Sequence, residues 1–327
     1  MNVPVKVRLE LTRRCNLDCA HCKVVCEDDP QAELTPAELA RILPELAAAG
    51  ASHLNLTGGE MFARPDILDV LDVIFKLDFV ANIQTNATLL GPETIAYLAR
   101  RPDKLLSVNV SLYGGSADVH DAITRTPGSF EKTVEAIAGL RRAGIPCAAF
   151  CLLMAENAPH WREAQAFFER EGIIYQFGTL MIAREDGCVQ PLEHRVDDSF
   201  LDGLPIPWDR YLNPEPESVP EHYPPETPLS EWCVAGRFPT ILPDGGVAVC
   251  AVIRERVGSL REKSFKEIWY GTPLLDYFRS LTVGDLDCRD CGHFPRCKPC
   301  IGISHNESGS YTARPREYCR LTAKYLK

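Results

Sequence analysis

Between residues 5 and 181 the chain alternates strand-length apolar runs with helical patterns six times, and that order commits it to a parallel sheet covered by helices. The predicted strands are 5–12, 53–57, 80–85, 105–112, 147–154 and 173–180. Helix signals fall between them. Thr35 reads as an N-cap, followed by Pro36 at the first helical position and by Glu38 three residues after the cap, a capping box, and Gly50 supplies the stop. A second helix over about 129–143 begins near Ser129 and ends at Gly144. Six successive units make a barrel short of the full eight, with its reactive groups in the loops after the strands.

The first of those loops carries the chemistry. Val5, Val7, Leu9 and Leu11 alternate with polar residues, and the strand they form delivers Cys15, Cys19 and Cys22 in a C-x3-C-x2-C spacing. A 4Fe-4S cluster takes four thiolates, so a local set of three leaves one iron for an outside ligand. Buried core thiols are the plainer reading, but a loop containing Arg and Asp makes a poor core. A zinc site is the other alternative, with His21 or Cys26 as a fourth ligand.

The C-x3-C-x2-C loop at the end of a first strand, with His21 before the last cysteine, resembles the signature of the radical S-adenosylmethionine enzymes. The resemblance implies a partial (β/α)6 TIM-type barrel in which Cys15, Cys19 and Cys22 hold the catalytic 4Fe-4S cluster. S-adenosyl-L-methionine chelates the open iron and is cleaved by one electron to a 5'-deoxyadenosyl radical, with His21 near the adenine. Gly58, Gly59 and Glu60 after the second strand match the family's GGE element, which receives the methionine ammonium. Two glycines there allow positive φ and a close backbone approach to a ligand. Thr85 and Asn86 end the third strand and are assigned to the cofactor site with them. Ser111, at the end of the fourth strand, takes the ribose position, and Arg125 the methionine carboxylate, a task that suits a guanidinium. His120 and Asp121 read equally as a solvated helix start or as cofactor contacts.

Further along, Cys147 and Cys151 share one face of the fifth strand and read as small core residues. Arg184, Glu185, Asp186 and Cys188 form a charged surface loop by default, or one that faces substrate. Residues 203–230 are rich in proline and read as an extended linker, with Trp208, Tyr211 and Tyr223 to pack it down. Phe265, Ile268, Trp269, Leu274, Leu275, Phe278 and Leu281 have helical spacing and belong to the core.

Seven cysteines close the chain: Cys233, Cys250, Cys288, Cys291, Cys297, Cys300 and Cys319. Asp244-Gly245-Gly246 between two apolar runs signals a hairpin. The C-x2-C-x5-C-x2-C core alone would pass as a zinc knuckle. With its flanking cysteines the segment resembles the SPASM extension, although the third gap has two residues where the family has three. The resemblance implies two auxiliary clusters in crossed ligation, one held by Cys233, Cys250 and Cys300 and the other by Cys288, Cys291, Cys297 and Cys319. The first then has an open iron, or a fourth ligand such as His293, His305 or Cys188.

The resulting organisation is a barrel over 1–202, a linker over 203–230 and a small Cys-rich SPASM auxiliary-cluster domain over 231–327. Fourteen cysteines without a signal peptide or a membrane-length apolar run imply metal or redox chemistry in the cytoplasm. A net charge of −10 argues against nucleic acid. The expected function is hydrogen abstraction from a ribosomal peptide or protein segment, leading to crosslinking, oxidation or epimerisation, with an external flavodoxin- or ferredoxin-type electron donor. Only fourteen residues precede Cys15, too few for a leader-binding domain, which favours the rival of a sugar, nucleoside or tetrapyrrole substrate. A zinc-binding regulatory protein is the alternative of another class.

Overall fold

The computed structural model describes residues 3–30, 32–204, 222–294 and 296–325. Six parallel strands run β1 (Lys6–Glu10), β2 (His53–Thr57), β3 (Val80–Thr85), β4 (Leu105–Ser111), β5 (Cys147–Leu152) and β6 (Tyr175–Gly178), each paired with the next. Helices α1 (Pro36–Ala48), α2 (Ile67–Phe75), α3 (Pro92–Ala99), α4 (Ala117–Thr124), α5 (Ser129–Arg142) and α6 (Trp161–Arg170) lie among them. The capping box forms as read: Thr35 accepts from the Glu38 amide while the Glu38 side chain takes the Thr35 amide at 2.8 Å. Gly50 and Gly144 end α1 and α5 at φ 99° and 71°.

Strand alternation sorts the side chains into a dry face and a wet one. Val7, Leu9, Leu54 and Leu56 are at most 1% exposed and pack in one core with Leu39, Ile42, Leu43 and Leu46 of α1. Each such side chain contributes roughly 1.5–3 kcal/mol. The opposite face carries Arg8, Glu10, Asn55, Asn82, Gln84 and Asn109. Arg8 reaches past β2 to the Gln84 amide oxygen at 3.1 Å, and the Asn109 amide donates to Asn82 at 3.0 Å. The strands therefore curve around a polar lumen.

The C-terminal hairpin continues this sheet. Strand β7 (Thr240–Ile241) pairs in parallel with β1, and β8 (Gly246–Ala248) and β9 (Arg256–Ser259) follow antiparallel, giving the order β6-β5-β4-β3-β2-β1-β7-β8-β9. Gly245 makes the turn at φ 84°. The apolar stripe lies on two helices, α8 (Phe265–Gly271) and α9 (Pro273–Ser280), because Pro273 cannot continue the first. The stripe still faces the core, where Phe265, Trp269 and Leu275 are fully buried. Following α7 (Asp198–Asp202) and α10 (Ile301–Ser308), α11 (Arg316–Tyr325) returns to the barrel, with Tyr325 2.8 Å from the Thr179 hydroxyl. Of the linker aromatics, Trp208 and Tyr211 lie outside the described residues. Tyr223 packs on Trp232 and Phe294, with ring centroids 5.4 and 5.8 Å away.

Candidate active site

The pairing of β1 with β2 runs on past the ends of the strands and shapes the cysteine loop. Leu11 donates to Thr57, Gly59 to Thr12 at 2.9 Å and Glu60 to Arg14 at 2.8 Å, all through backbone. This corrects the expectation of positive φ at the two glycines. Neither has positive φ among the described residues, and a Cβ on Gly58 or Gly59 would strike the carbonyl oxygen of Thr12 or Arg14. The close approach they permit is to the backbone that leads into Cys15. Gly59→Ala is accordingly expected to cost about 1–3 kcal/mol by overpacking. It should also lower the iron bound by the loop, measured as a urea midpoint and an iron count on the same preparation.

Below this turn sits a buried clamp that sequence reading missed. Arg64 is 3% exposed, and its guanidinium donates to the Leu11 carbonyl at 2.8 Å and the Leu34 carbonyl at 3.1 Å. Arg14 forks onto Glu33 at 3.0 and 2.8 Å, and the Thr12 hydroxyl donates to the same carboxylate. Nothing in local periodicity marks Arg64 as buried.

Glu60 is fully buried and its carboxylate is already satisfied. It accepts from the Thr85 hydroxyl at 2.8 and 2.9 Å, from the Asn86 amide N–H at 2.7 Å and from the Phe62 amide N–H at 3.1 Å. Burial pushes its carboxyl above the usual range against these bonds. The visible work of Glu60 and Thr85 is thus to fix Asn86, whose side-chain amide points at the Cys15 sulfur (3.9 Å) and at Asn16 (3.1 Å).

The other flank of the loop is held by α4. Ala20 donates to the Ile123 carbonyl at 2.9 Å and Asp18 to the Thr124 carbonyl at 3.3 Å, so the exposed end of a helix anchors the cysteine segment. Arg125 follows in the left-handed region at φ 55°, which is costly for a residue with a side chain. Its guanidinium lies 3.5 Å from Asp18 and stays open to solvent. Asp121 is not a solvated helix start: it caps α5, accepting from Gly128, Ser129 and Phe130 at 2.6–2.8 Å. His120 is 1% exposed and accepts from the Tyr113 amide at 3.1 Å, which also removes it from the surface. Ser111 lies beside the Tyr113 phenol, and that ring meets His21 edge-on at 4.7 Å. Burial holds the His21 imidazole down to about 4, so it is neutral, and among the described residues its buried Nδ1 has no partner.

The C-terminal cysteines gather as two sets. Cys233 and Cys250 are in electrostatic contact with Cys300, whereas Cys288 and Cys297 are in contact with Cys291 and Cys319. Burial pushes the Cys233 thiol up to about 12 and that of Cys250 to about 11, so each becomes a thiolate only where a metal replaces its proton. Among the described residues no three His, Cys, Asp or Glu side chains form a ready cage for a single ion. Cys188 and Cys22 both act on Arg184, which puts Cys188 near the first loop, and His305 stacks on Tyr311 at 4.2 Å. Cys151 is fully buried in β5, as a core residue should be.

An ionic network joins the two regions. Arg254, just before β9, forks onto Glu10 at 2.7 and 2.8 Å and reaches Glu185 at 3.2 Å, while Arg13 meets Glu185 at 3.3 Å. Glu185 is only 10% exposed and points inward as a strut, while Arg184 and Asp186 of the same loop pair at the surface. Burial opposes ionisation of Glu10, but Arg254 and Arg8 outweigh it and hold the carboxyl at about 2. Lys23, beside Cys22, acts electrostatically on Cys250 and Cys300, and burial lowers its ammonium to about 8. Only the alternation of Arg8 and Glu10 on β1 hinted at this network.

The three-thiol loop, with a hydrogen-bond donor at one sulfur and an unpaired buried imidazole nitrogen beside it, fits a cluster that leaves room for a polar ligand. A Radical SAM superfamily model matches residues 9–168, and a SPASM model, described as an iron-sulfur cluster-binding domain, matches residues 233–300. The chain belongs to the radical SAM enzymes that carry a SPASM extension, and works with 4Fe-4S clusters and S-adenosyl-L-methionine. The AdoMet-dependent heme synthase of Methanosarcina barkeri is 26% identical to it over 97% of this chain and 97% of its own length. Mycofactocin maturase MftC of Mycobacterium ulcerans is 26% identical over 91% of this chain and 83% of its own. In fold the chain is similar to Streptococcus suis SuiB bound to precursor peptide SuiA, with a TM-score of 0.75 at 17% identity, over 98% of this chain and 76% of that one. Among the described residues no helix is long and apolar enough to cross a membrane.

Proposed function

We propose that this enzyme abstracts a hydrogen atom from a ribosomally made peptide or protein segment bound in the barrel lumen, in the cytoplasm, with electrons from a flavodoxin- or ferredoxin-type donor. The observation that carries the reading is the lumen itself, where the amides of Asn55, Asn82, Gln84 and Asn109 offer donors and acceptors to a polyamide chain. When bound, the cluster at Cys15, Cys19 and Cys22 and its S-adenosylmethionine supply the radical that takes the hydrogen. The chain's own residues set the stage. The glycine turn and the end of α4 hold the cysteine loop from two sides, and Asn86 places a donor at Cys15. Arg125 presents a solvent-open guanidinium suited to a carboxylate, and neutral His21 and Ser111 flank the space for the nucleoside. Cys233, Cys250 and Cys300, and Cys288, Cys291, Cys297 and Cys319, hold two auxiliary clusters.

The full-length similarity to a heme synthase favours a second reading, a carboxylated tetrapyrrole substrate. Both readings meet one experiment, in which anaerobically reconstituted enzyme is supplied with deuterated candidates and 5'-deoxyadenosine is analysed by mass spectrometry. Deuterium arriving from a peptide encoded beside the gene supports the first reading, and from a tetrapyrrole the second. Stoichiometric zinc without labile sulfide would sink both and leave a regulatory protein.

A further inference from the structure

Lys23 follows Cys22 directly, and its carbonyl is pinned by the Glu185 amide at 3.0 Å. The residue lies deep in the molecule yet keeps solvent contact, as a side chain facing an internal lumen does. Among the described residues its ammonium has no hydrogen-bond or ion-pair partner, unlike the other lumen cations. Arg8 is bonded to Glu10 and Gln84, Arg254 to Glu10 and Glu185, and Arg13 to Glu185. Glu10 and Glu185 act on the Lys23 ammonium through space but neither bonds to it, so its lost hydration is not replaced by a hydrogen bond, a cost that an anionic ligand would recover.

Its position limits what that ligand is. Lys23 adjoins the catalytic cysteine loop on one side and acts on Cys250 and Cys300 on the other. A group held there lies between the first cluster loop and the C-terminal three-thiol set. A single ammonium is a compact point charge with three donors, enough to hold one carboxylate.

We propose that Lys23 binds a carboxylate of the substrate, holding it in the lumen between the Cys15–Cys22 loop and the Cys250–Cys300 set. The inference rests on the reading of the lumen as the substrate chamber. In that chamber the carboxylate belongs either to an acidic residue of a peptide or to a propionate of a tetrapyrrole. Anaerobic calorimetric titration of the reconstituted enzyme, with S-adenosylhomocysteine present and no reductant, separates binding from turnover. The probes are a glutamate-containing hexapeptide with its glutamine twin, and coproporphyrin III with its tetraethyl ester. One acid should bind at least tenfold more tightly than its neutral twin. That preference should vanish in Lys23→Met and persist in Lys23→Arg, and the pair that shows it names the source. Equal binding of acid and neutral twin in both pairs, no binding of either acid, or an intact preference in Lys23→Met would overturn the assignment. Formation of 5'-deoxyadenosine and the iron count of the wild type are scored separately, so loss of the Lys23 inference and loss of the radical reading remain distinct results.

Discussion

Replacing Cys15, Cys19 and Cys22 together by alanine should abolish 5'-deoxyadenosine formation and remove about four of about twelve bound irons. The fold should survive the change. The loop is held by backbone bonds from Thr12 to Gly59, Arg14 to Glu60 and Ala20 to Ile123, none of which uses a thiol, and the three cysteines are only partly buried. The C-terminal sets are built from the hairpin, the segment before α10 and helix α11, so they share no residue with the loop and should load normally. Iron, labile sulfide and 5'-deoxyadenosine measured on one anaerobic preparation give the answer. Formation at the wild-type rate would refute the assignment of these cysteines. Cys151→Ala serves as the control, since that thiol is sealed in β5 with an Asn157 amide 3.8 Å away and should leave all the iron in place.

Most of the frame was legible because its signals are local. The capping box at Thr35 and Glu38, the positive-φ stops at Gly50 and Gly144 and the six strands all depend on residues within a few positions of one another. The cysteine sets were legible for a different reason: thiols are rare, and their spacing carried a resemblance that the matched families bear out. What stayed hidden depends on pairing between distant segments. Only two residues, Thr240 and Ile241, join the hairpin to β1, and so short a run has no periodicity of its own. Gly58 and Gly59 were visible as a tight place, but the partner they make room for, the Thr12–Arg14 backbone, lies more than forty residues away in sequence. Arg64, Glu185 and Arg254 look like ordinary surface charges until the fold sets Arg64 against Glu33 and Arg254 against Glu185.

Arg254→Met should be the most destabilising single change in the ionic network, because Arg254 is the tie between the C-terminal segment and β1. Its guanidinium and the Glu10 carboxylate are 14% and 7% exposed, so water replaces little of what is lost. Removing one partner of a buried pair costs about 3–5 kcal/mol, and since Arg8 still reaches Glu10 at 3.1 Å the lower end applies. The Glu10 pKa, set by Arg254 and Arg8 together, gives the stability linked to that carboxylate. A carboxyl held at about 2 against an ordinary 4.5 represents about 3 kcal/mol of linked stability. That stability is fully present above the unfolded pKa and is lost as pH falls toward the folded value. In Arg254→Met only Arg8 is left to offset the burial of Glu10, its carboxyl rises, and the acid-unfolding limb should move to higher pH. Urea midpoints at pH 7 for Arg254→Met, Glu10→Gln and the double variant complete a cycle. The double variant should recover part of the loss, because no lone charge is then left buried. A single variant within about 0.5 kcal/mol of wild type would show that the hairpin is held by the β1–β7 pairing and its apolar core alone.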